Sequence, residues 1–455
     1  MNNIKEIVNK QRNYFNQGRT LDIKFRIEQL KKLGKAINSY EAEIFAALKA
    51  DLNKPSFEAY SSEIMQLKGE LKYTVKRLKR WAKPHKVKTS FELQPGKSRV
   101  YAQPFGVVLN IAPWNYPFQT CLVPFVSILA AGNCAVIKPS EFAPQSSKLI
   151  AKIIGEIYPA EYCAVVEGGV EETQLLLAQK WDFIAFTGSP KVGHIVAEAA
   201  AKHLTPTLLE LGGKSPCIVH SDVDIKVAAR RIAWGKFMNA GQTCTAPDFV
   251  LAHKSIAKQL AQELTVRIEE SYGKNAKDSP DYCRIVTDKH FDRLVSYLEK
   301  DKLFFGGKTD SSSRYIEPAI LYKSDWDDKI MQEEIFGPLL PIIEYENIDD
   351  AITRLKEMER PLALYVFSKN KTLQNRIIEA IHFGGGCINA TVLHNGNIEL
   401  PFGGIGNSGM GRYHGKSGFN TFSYPKSIYK KPTWIDPSLI YPPYKQKVNL
   451  LKKIS

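Results

Sequence analysis

Apolar residues recur at helical spacing among many charged residues over the first 83 positions of the chain. Leu30, Leu33 and Ile37 follow this spacing, which predicts amphipathic helices from the N-terminus to about residue 83. Beyond them the pattern changes to short β-rich runs at 87–93 and 99–102, between turn-forming prolines and glycines. We therefore expect a helical N-terminal part followed by an extended ribbon.

Strand-like and helical segments alternate from about residue 105 to residue 211. The predicted strands are 106–111, 134–138 and 183–186, and the predicted helices are 118–131, 145–157 and 191–202. Such alternation is typical of a parallel sheet with helices on both faces. A second region of mixed strands and helices follows over 212–417. The predicted fold class is therefore α/β, with two lobes.

The overall composition narrows the class of protein. The chain has 455 residues, of which 44% are apolar and 24% are charged, and both values are close to the globular average. They argue against a fully disordered chain, a collagen-like chain or a disulfide scaffold. The 62 lysines and arginines against 47 acidic residues give a net charge of +15. This balance favours anionic partners such as nucleotides, nucleic acid or acidic membranes, without choosing among them.

The spacing of the cysteines and histidines indicates whether the chain contains disulfides or a metal site. The seven cysteines are scattered without a C-x-x-C pair, and the nine histidines form no H-E-x-x-H motif. We expect neither a disulfide framework nor a metal site. The N-terminus lacks the apolar core of a signal peptide, and the longest apolar stretch, 122–131, is about half the roughly 20 residues that a membrane span needs. We therefore expect a cytoplasmic protein.

Two residues suggest chemistry from their local context. Cys244 follows a glycine and small polar residues at 239–243, which would let a bound group approach the thiol. An electropositive site or backbone amide dipoles would be needed to activate that thiol. Glu210 lies between two leucines on a predicted strand, where burial would raise its pKa toward that of a general base. Taken alone, Cys244 fits a small buried hydrophobe better, and Glu210 fits a surface glutamate equally well.

Three further motifs follow predicted strands. Asn115 lies in a Pro-Trp-Asn-Tyr-Pro turn, where two prolines restrict the backbone around an amide that could donate to an oxyanion. The turn at 187–189 opens a helix whose free N–H groups favour phosphate, although such turns also use glycine for structural reasons alone. The segment 138–141 ends another strand, at the carboxyl edge where open α/β sheets bind ligands. Alternatively, the segment 138–141 is an ordinary loop that binds no ligand.

Seven motifs, taken in order, resemble those of the aldehyde dehydrogenase superfamily over roughly residues 20–424. They are PWNYP at 113–117, KPSE at 138–141, FTGS at 186–189, LELGGK at 209–214, GQTC at 241–244, EEIFGP at 333–338 and PFGGIGNSG at 401–409. The short N-terminus and the segments 246–248 and 409–415 are most similar to the class 3 branch, which handles fatty and aromatic aldehydes. The resemblance implies a Rossmann-like cofactor domain, an α/β catalytic domain and a small β-ribbon for oligomerisation.

The resemblance implies oxidation of apolar aldehydes, medium- or long-chain aliphatic or aromatic, to carboxylic acids. Cys244 would attack the aldehyde carbon to give a thiohemiacetal, whose oxyanion would be held by the Asn115 amide and the Cys244 N–H. After hydride transfer, Glu210 would activate the water that hydrolyses the thioester, and it could also deprotonate Cys244. A glutamate at this position favours hydrolysis over transfer to coenzyme A.

The same resemblance implies the cofactor NAD, with NADP as an alternative. The residues expected to bind it are Lys138, Glu141, Thr187, Gly188, Ser189, Glu334 and Phe336. Lys138 and Glu141 would hold the adenosine ribose, the turn at 187–189 would lie beside the pyrophosphate, and Glu334 and Phe336 would lie at the nicotinamide ribose and ring. A carboxylate at Glu141 repels a 2′-phosphate and so favours NAD. Class 3 members often accept NADP as well, so both cofactors stay open.

The resemblance also divides the chain into domains. The cofactor domain would comprise 1–83 and 101–211, and the catalytic domain 212–417. The ribbon at 84–100 and the segment 418–455 would bridge the two subunits of a homodimer. A ribbon that short cannot bury itself within one chain, which is the physical reason to expect a partner.

The basic residues suggest a different class of function, which is binding to nucleic acid or to a membrane. Lys68, Lys72 and Lys76 belong to a basic run on one predicted helix face, which lacks interleaved aromatics and so fits a solvated face better than a nucleic-acid site. Residues 426–455 hold seven lysines and one acid with several aromatics, a mixture that could rest on an anionic membrane, although packing on a partner subunit or solvent exposure is favoured. Five prolines from residue 425 onward exclude one long helix there. The rival function, a nucleic-acid- or membrane-binding protein on an inactive scaffold, is disfavoured by the complete catalytic set.

Overall fold

The computed structural model describes residues 2–445 and 447–454, whose strands build two large sheets and a small ribbon. In chain order the strands are β1 (His85–Val87), β2 (Lys97–Pro104), β3 (Val107–Ile111), β4 (Cys134–Lys138), β5 (Cys163–Val165), β6 (Phe183–Gly188), β7 (Thr207–Leu211), β8 (Pro216–Val219), β9 (Phe249–His253), β10 (Leu303–Phe305), β11 (Thr309–Asp310), β12 (Tyr315–Ile316), β13 (Ala319–Tyr322), β14 (Leu339–Tyr345), β15 (Ala363–Phe367), β16 (Gly385–Ile388), β17 (Gly409–Met410) and β18 (Ser423–Lys430). The strands predicted at 106–111, 134–138 and 183–186 are β3, β4 and β6, which confirms them. β3 and β4 are buried along their whole length, as expected for strands covered on both faces.

Helices cover both large sheets. In chain order they are α1 (Asn2–Asn16), α2 (Ile23–Ser39), α3 (Glu41–Leu52), α4 (Ser56–Ala59), α5 (Met65–Trp81), α6 (Pro117–Ala131), α7 (Pro144–Ile157), α8 (Val170–Leu177), α9 (Pro190–Ala201), α10 (Ile225–Phe237), α11 (Ala257–Tyr272), α12 (Asp288–Val295), α13 (Ile348–Glu357), α14 (Lys371–Ala380), α15 (Gly415–Thr421) and α16 (Lys447–Ile454). Leu30, Leu33 and Ile37 are fully buried on α2, which confirms the helical spacing. Across residues 2–445 and 447–454, every helix is too short or too polar to span a bilayer.

The first sheet has the strand order β17-β7-β6-β3-β4-β5. Strands β3 to β7 run parallel, and β17 pairs antiparallel with the β7 edge. From β3 the chain extends the sheet to one side through β4 and β5, and it then returns to the other side of β3 with β6 and β7. This reversal opens a crevice outside the carboxyl ends of β3 and β6, the place where open α/β sheets bind ligands.

The second sheet has the strand order β10-β13-β14-β9-β8-β15-β16 and is parallel except for β10. The chain passes from β7 of the first sheet to β8 of the second through only the four residues 212–215. Cys244 lies in the segment that enters β9, and Glu334 lies in the segment that enters β14. The carboxyl edge of the first sheet and the amino edge of the second therefore supply the predicted site residues.

The third sheet is an antiparallel ribbon of order β1-β2-β18. β18 pairs with β2 over eight residues, from Ser423 opposite Pro104 to Lys430 opposite Lys97. Seven of the eight β18 residues are exposed, so pairing within the chain leaves most of this strand uncovered. The tail is confirmed as interrupted, because it contains both this strand and the separate helix α16.

The strand predicted at 87–93 is wrong beyond Val87. The Ser98 N–H donates to the Thr89 hydroxyl at 3.1 Å, so the backbone ladder between β1 and β2 stops at that point. Residues 91–93 then form a single helical turn with exposed side chains. Alternating polarity without a neighbouring strand was therefore insufficient to extend β1.

Candidate active site

The loop that carries Cys244, residues 239–244 (the cysteine loop), begins with three consecutive residues in the left-handed backbone region. The φ angle is 52° at Asn239, 50° at Ala240 and 73° at Gly241. This conformation costs an L side chain about 1–2 kcal/mol. A Cβ at Gly241 would overlap the Gly337 carbonyl, which explains the glycine. The chain therefore reaches Cys244 through a constrained turn that other contacts must stabilise.

Two buried side-chain amides stabilise the cysteine loop. Asn239 Nδ2 donates to the Asn115 carbonyl at 2.9 Å and to the Gln242 carbonyl at 3.1 Å. Gln242 Nε2 donates to the Asn239 carbonyl at 3.0 Å, and Gln242 Oε1 accepts from the Val286 N–H at 3.0 Å. These bonds span residues on three separate segments, so they fix the loop relative to both sheets.

Cys244 is partly exposed although its neighbours Gln242, Thr243 and Thr245 are buried. Burial of the surroundings raises the pKa of the Cys244 thiol, and the carboxyl groups of Glu210 and Glu334 raise it further. The backbone N–H groups of Cys244 and Thr245 act in the opposite direction. The activating amide dipoles are thus present, but burial, together with the acidic neighbours, outweighs them, and the thiol carries its proton at neutral pH. Attack by Cys244 therefore requires a proton acceptor.

The Asn115 turn packs directly on the cysteine loop. The Asn115 side chain is buried, and its Nδ2 donates to the Gln242 carbonyl at 3.1 Å. This bond uses one of the two amide hydrogens and leaves the second for another acceptor. The hydroxyl groups of Tyr116 and Thr243 are hydrogen-bonded at 2.6 Å. The turn thereby brings an amide donor to the segment that ends at Cys244.

Glu210 lies on β7, where it pairs in register with Thr187 of β6 and Gly409 of β17. It is buried, and both carboxylate oxygens are without a hydrogen-bond partner in the described part of the chain. Burial raises the pKa of Glu210 well above its ordinary value, with Arg412 opposing the shift. This confirms the desolvation expected from its leucine neighbours. A Cβ at Gly403 would lie 2.3 Å from the Gly411 carbonyl oxygen and 2.8 Å from Glu210 Oε1, so glycine there makes room for both groups.

Lys214 and Asp248 hold the Glu334 loop, and neither residue was predicted from the sequence to have a role. Lys214 Nζ donates to Asp248 Oδ2 at 2.5 Å and to the carbonyls of Ile330 and Glu333 at 3.0 and 2.9 Å. Asp248 Oδ1 accepts from the Ile335 N–H at 2.9 Å. Both residues lie in motifs used for the resemblance, at 209–214 and 246–248, which was the available signal.

Glu334 reaches back to the glycines between the two sheets. Burial, with Asp248 nearby, raises the pKa of Glu334 to about 8, and the Gly213 backbone N–H, Lys214 and Arg293 act in the opposite direction. A Cβ at Gly212 would overlap the Glu334 carboxylate. Phe336 has a φ of 49° and places its ring edge-on to Trp114, with ring centroids 5.5 Å apart. The loop therefore joins the Asn115 turn to the segment between β7 and β8.

The remaining predicted cofactor residues lie along the carboxyl edge of the first sheet. Lys138 is buried at the end of β4, and its Nζ donates to Glu141 Oε2 at 2.9 Å. Thr187 and Gly188 end β6, and Ser189 caps α9, its hydroxyl accepting from the Val192 N–H at 3.4 Å. The Ser189 hydroxyl thus already has a partner within the helix. A balanced ion pair and a helix N-terminus at a sheet crevice suit a nucleotide with anionic phosphates.

The predicted site residues form two groups. Asn115, Glu210, Cys244 and Glu334 converge at the junction of the sheets, where a partly exposed thiol adjoins an amide donor and two carboxyl groups. The other predicted residues line the crevice beside them, namely Lys138, Glu141, Thr187, Gly188 and Ser189. Over residues 2–445 and 447–454, no three His, Cys, Asp or Glu side chains group as a metal site.

Several known proteins are similar to this chain along nearly its whole length. The chain is 48% identical to 4,4′-diaponeurosporen-aldehyde dehydrogenase of Staphylococcus aureus over 99% of both chains. It is 44% identical to a dimeric NADP-preferring aldehyde dehydrogenase of Canis lupus familiaris over 97% of this chain and 98% of that protein. A structure described as the substrate-bound state of Staphylococcus aureus AldH superposes with a TM-score of 0.98, at 47% identity and 100% coverage of both chains.

The family model described as "Aldehyde dehydrogenase family" matches residues 1–428. Aldehyde dehydrogenase family 3 members of mammals, 44% to 45% identical, confirm the resemblance to the class 3 branch. The solved structure confirms the expected fold. With the match extending over nearly all of its length, the chain belongs to the aldehyde dehydrogenase family and is an enzyme that oxidises aldehydes with NAD or NADP.

Proposed function

We propose that this enzyme oxidises apolar aldehydes, medium- or long-chain aliphatic or aromatic, to free carboxylic acids through a thioester on Cys244. The observation that carries the proposal is the convergence of a partly exposed Cys244 with Asn115 and a buried Glu210 whose oxygens are unpartnered among the described residues. The substrate class draws on the class 3 relatives and on a relative named for 4,4′-diaponeurosporen-aldehyde.

Acylation begins with proton transfer from the Cys244 thiol, because its raised pKa keeps it protonated. Glu210, in its ionised form, takes this proton through water, whereas Glu334 has a pKa of about 8 and is mostly protonated at neutral pH. Thiolate attack on the aldehyde carbon forms a thiohemiacetal. Its oxyanion accepts the free Asn115 amide hydrogen and the Cys244 N–H. Bound NAD or NADP would supply the hydride acceptor for that carbon, and the Cys244 adduct would then be a thioester.

Deacylation assigns Glu210 as the general base. Its buried carboxyl has a raised pKa, so once ionised it removes a proton from water more effectively than an exposed carboxylate does. That water adds to the thioester carbonyl, the Cys244 thiolate leaves, and the free acid departs. No coenzyme A is required in this sequence.

We assign cofactor binding to the predicted residues that line the crevice and to the loop that contains Glu334 and Phe336. Lys138 and Glu141 would hold the adenosine ribose, Thr187, Gly188 and Ser189 would border the pyrophosphate, and Glu334 and Phe336 would lie at the nicotinamide end. The Lys138 ammonium partly balances the Glu141 charge at 2.9 Å, which lowers the repulsion toward a 2′-phosphate. We therefore propose preference for NAD with use of NADP, the cofactor preferred by a relative.

We also propose that the enzyme is a cytoplasmic homodimer with the domains predicted from the sequence. The exposed ribbon of β1, β2 and β18 supports a subunit contact, since an uncovered edge strand offers unpaired backbone groups. A relative is named as dimeric. All seven cysteines have free thiols, as a reducing compartment requires.

The test is reduced-cofactor formation by the purified protein with NAD or NADP and aldehydes from acetaldehyde to long-chain and aromatic examples. We expect a rate that rises with chain length or aromaticity. Cys244→Ala should remove this rate and leave NAD binding nearly intact. No rate with any aldehyde, in folded protein that binds NAD, would contradict the proposal, and more than a few per cent residual rate in Cys244→Ala would contradict the nucleophile.

A further inference from the structure

Lys54 and Glu63 form an ion pair beneath the Asn115 turn. Their side chains are fully buried, with Lys54 Nζ 2.6 Å from Glu63 Oε1. Burying two charges costs several kcal/mol per ion in desolvation, and well-packed apolar residues often replace such a pair without loss of stability. Stability is therefore a weak explanation for this pair, and its contacts with the neighbouring turn point to another one.

The Lys54 ammonium binds the backbone of the turn that carries the Asn115 amide. Its Nζ donates to the Asn115 carbonyl at 3.0 Å. The same ammonium lies 4.1 Å from the centre of the Tyr116 ring, within the range of a cation–π contact. Its three donors are thus directed at Glu63, at Asn115 and at the ring of the next residue. The Asn115 carbonyl also accepts from Asn239 Nδ2, so Lys54 and the cysteine loop share one acceptor.

The second oxygen of Glu63 fixes the other side of the turn. Glu63 Oε2 accepts from the N–H of Phe118 at 2.8 Å and of Gln119 at 3.3 Å. These N–H groups belong to the first turn of α6, which begins at Pro117 and has no side-chain cap of its own. A carboxylate at this position satisfies free helix N–H groups and interacts favourably with the helix dipole. The pair therefore holds the residues before and after Tyr116 at the same time.

We propose that Lys54 and Glu63 are positioning residues that set the Asn115 amide against the cysteine loop for oxyanion binding, an inference that rests on the proposed function. With the Asn115 carbonyl and the start of α6 both fixed, the Asn115 side chain is directed to the Gln242 carbonyl, two residues before Cys244. The free amide hydrogen is then aligned before substrate arrives. Neither residue touches the reacting atoms, and both act through Asn115.

The test compares a neutral double variant with a matched control. Lys54→Met with Glu63→Gln removes both charges of the pair together, so neither partner is left as an unpaired buried ion. The control is Lys68→Met with Glu41→Gln, which removes a lysine–glutamate pair of the same 2.6 Å length that is partly exposed and has Lys68 5.4 Å from the Tyr60 ring. Thermal unfolding checks that both variants are folded.

We expect single-turnover formation of reduced cofactor to fall about tenfold or more in the buried-pair variant, since about 1 Å of misplacement can cost about a hundredfold. KM for NAD and the rate of Cys244 alkylation by iodoacetamide should stay within about twofold of the wild type. The control should match the wild type. Equal rates in the two variants, or a parallel loss of alkylation, would overturn the inference.

A cycle with Asn115→Ala separates positioning from a general packing effect. If the pair acts through Asn115, adding Lys54→Met and Glu63→Gln to Asn115→Ala should lower the rate by less than about twofold. A full further tenfold loss would overturn the inference.

If the double variant does not fold, Glu63→Asp shortens the reach of the carboxylate while keeping its charge, and it should still slow the single turnover about threefold. An unchanged rate would overturn the inference. Failure of the proposed function is distinct, because the wild type would then show no aldehyde oxidation at all.

Discussion

The adjacent glycines between β7 and β8 provide a sharp test of the Glu334 assignment. A Cβ at Gly212 would overlap the Glu334 carboxylate, whereas a Cβ at Gly213 would meet its nearest atoms, in Pro361 and Leu362, at 3.6 and 3.7 Å. Neither glycine has the positive φ that would make alanine strained. Gly212→Ala should therefore push only the flexible end of Glu334 aside, and Gly213→Ala should be accommodated.

The expected magnitude follows from the bond that Glu334 is proposed to make. Above its pKa of about 8, Glu334 is a charged acceptor, whose hydrogen bond contributes about 1.5–3 kcal/mol, and about 1.4 kcal/mol corresponds to a tenfold change in affinity. Displacing the carboxylate from the nicotinamide ribose should therefore weaken NAD binding about 10- to 100-fold. The free energy of unfolding should change by less than about 1 kcal/mol, because the obstructing atoms can rotate away.

Isothermal titration calorimetry with NAD measures the affinity, and chemical denaturation measures the stability. Gly213→Ala is the matched control, since it adds the same methyl group one residue away, where its nearest atoms lie at 3.6 and 3.7 Å. We expect Gly213→Ala to bind NAD within about twofold of the wild type. If folded Gly212→Ala binds NAD as tightly as Gly213→Ala, then Glu334 does not hold the cofactor from this position and the reasoning is refuted.

Glu210→Gln should slow turnover more than acylation and leave a burst of reduced cofactor in rapid-mixing experiments, whereas an undiminished steady state would contradict its role as base. The pKa of Glu210 is raised in the folded protein, so the wild type loses stability as the pH rises above the unfolded pKa of about 4.3. Glu210→Gln does not ionise and avoids this loss. In chemical denaturation from pH 5 to pH 8, its free energy of unfolding should therefore increase relative to the wild type by up to about 1.4 kcal/mol per pH unit. Glu141→Gln should raise kcat/KM with NADP relative to NAD, because it removes the charge that repels a 2′-phosphate; an unchanged ratio would remove Glu141 from cofactor selection. Light scattering at micromolar concentration should give twice the chain mass, and a monomer would contradict the ribbon-mediated dimer.

Much of the first sheet could be predicted because its strands are short apolar runs buried on both faces. The runs at 134–138 and 183–186 match β4 and β6 because local composition and burial agree there. The prediction failed at 87–93, where a side-chain hydroxyl ended the ladder. The strand β18 was not predicted, because its residues are mostly exposed and its partner β2 lies more than 300 residues earlier in the chain.

In the candidate site, too, the residues in local motifs could be predicted, and the residues that depend on distant contacts could not. Cys244, Glu210 and Asn115 could be named from their motifs because each motif is local and chemically distinctive. Lys54 and Glu63 could not be, since the contacts that give them meaning lie 61 and 55 residues away along the chain. Lys214 and Asp248 stood within known motifs, but their mutual contact spans 34 residues and appears only after folding.

The amino-acid sequence by itself determined the class of fold and the family, and it supplied the reacting groups that we propose, because periodicity and short motifs are properties of neighbouring residues. Only the tertiary structure decided the protonation of those groups, since burial and the meeting of Glu210 and Glu334 near Cys244 raise the thiol pKa. It also decided that Lys138 balances Glu141 and that a buried ion pair supports the Asn115 turn. Electrostatic interactions depend on distance and solvent exposure, and both are established only when remote segments pack together.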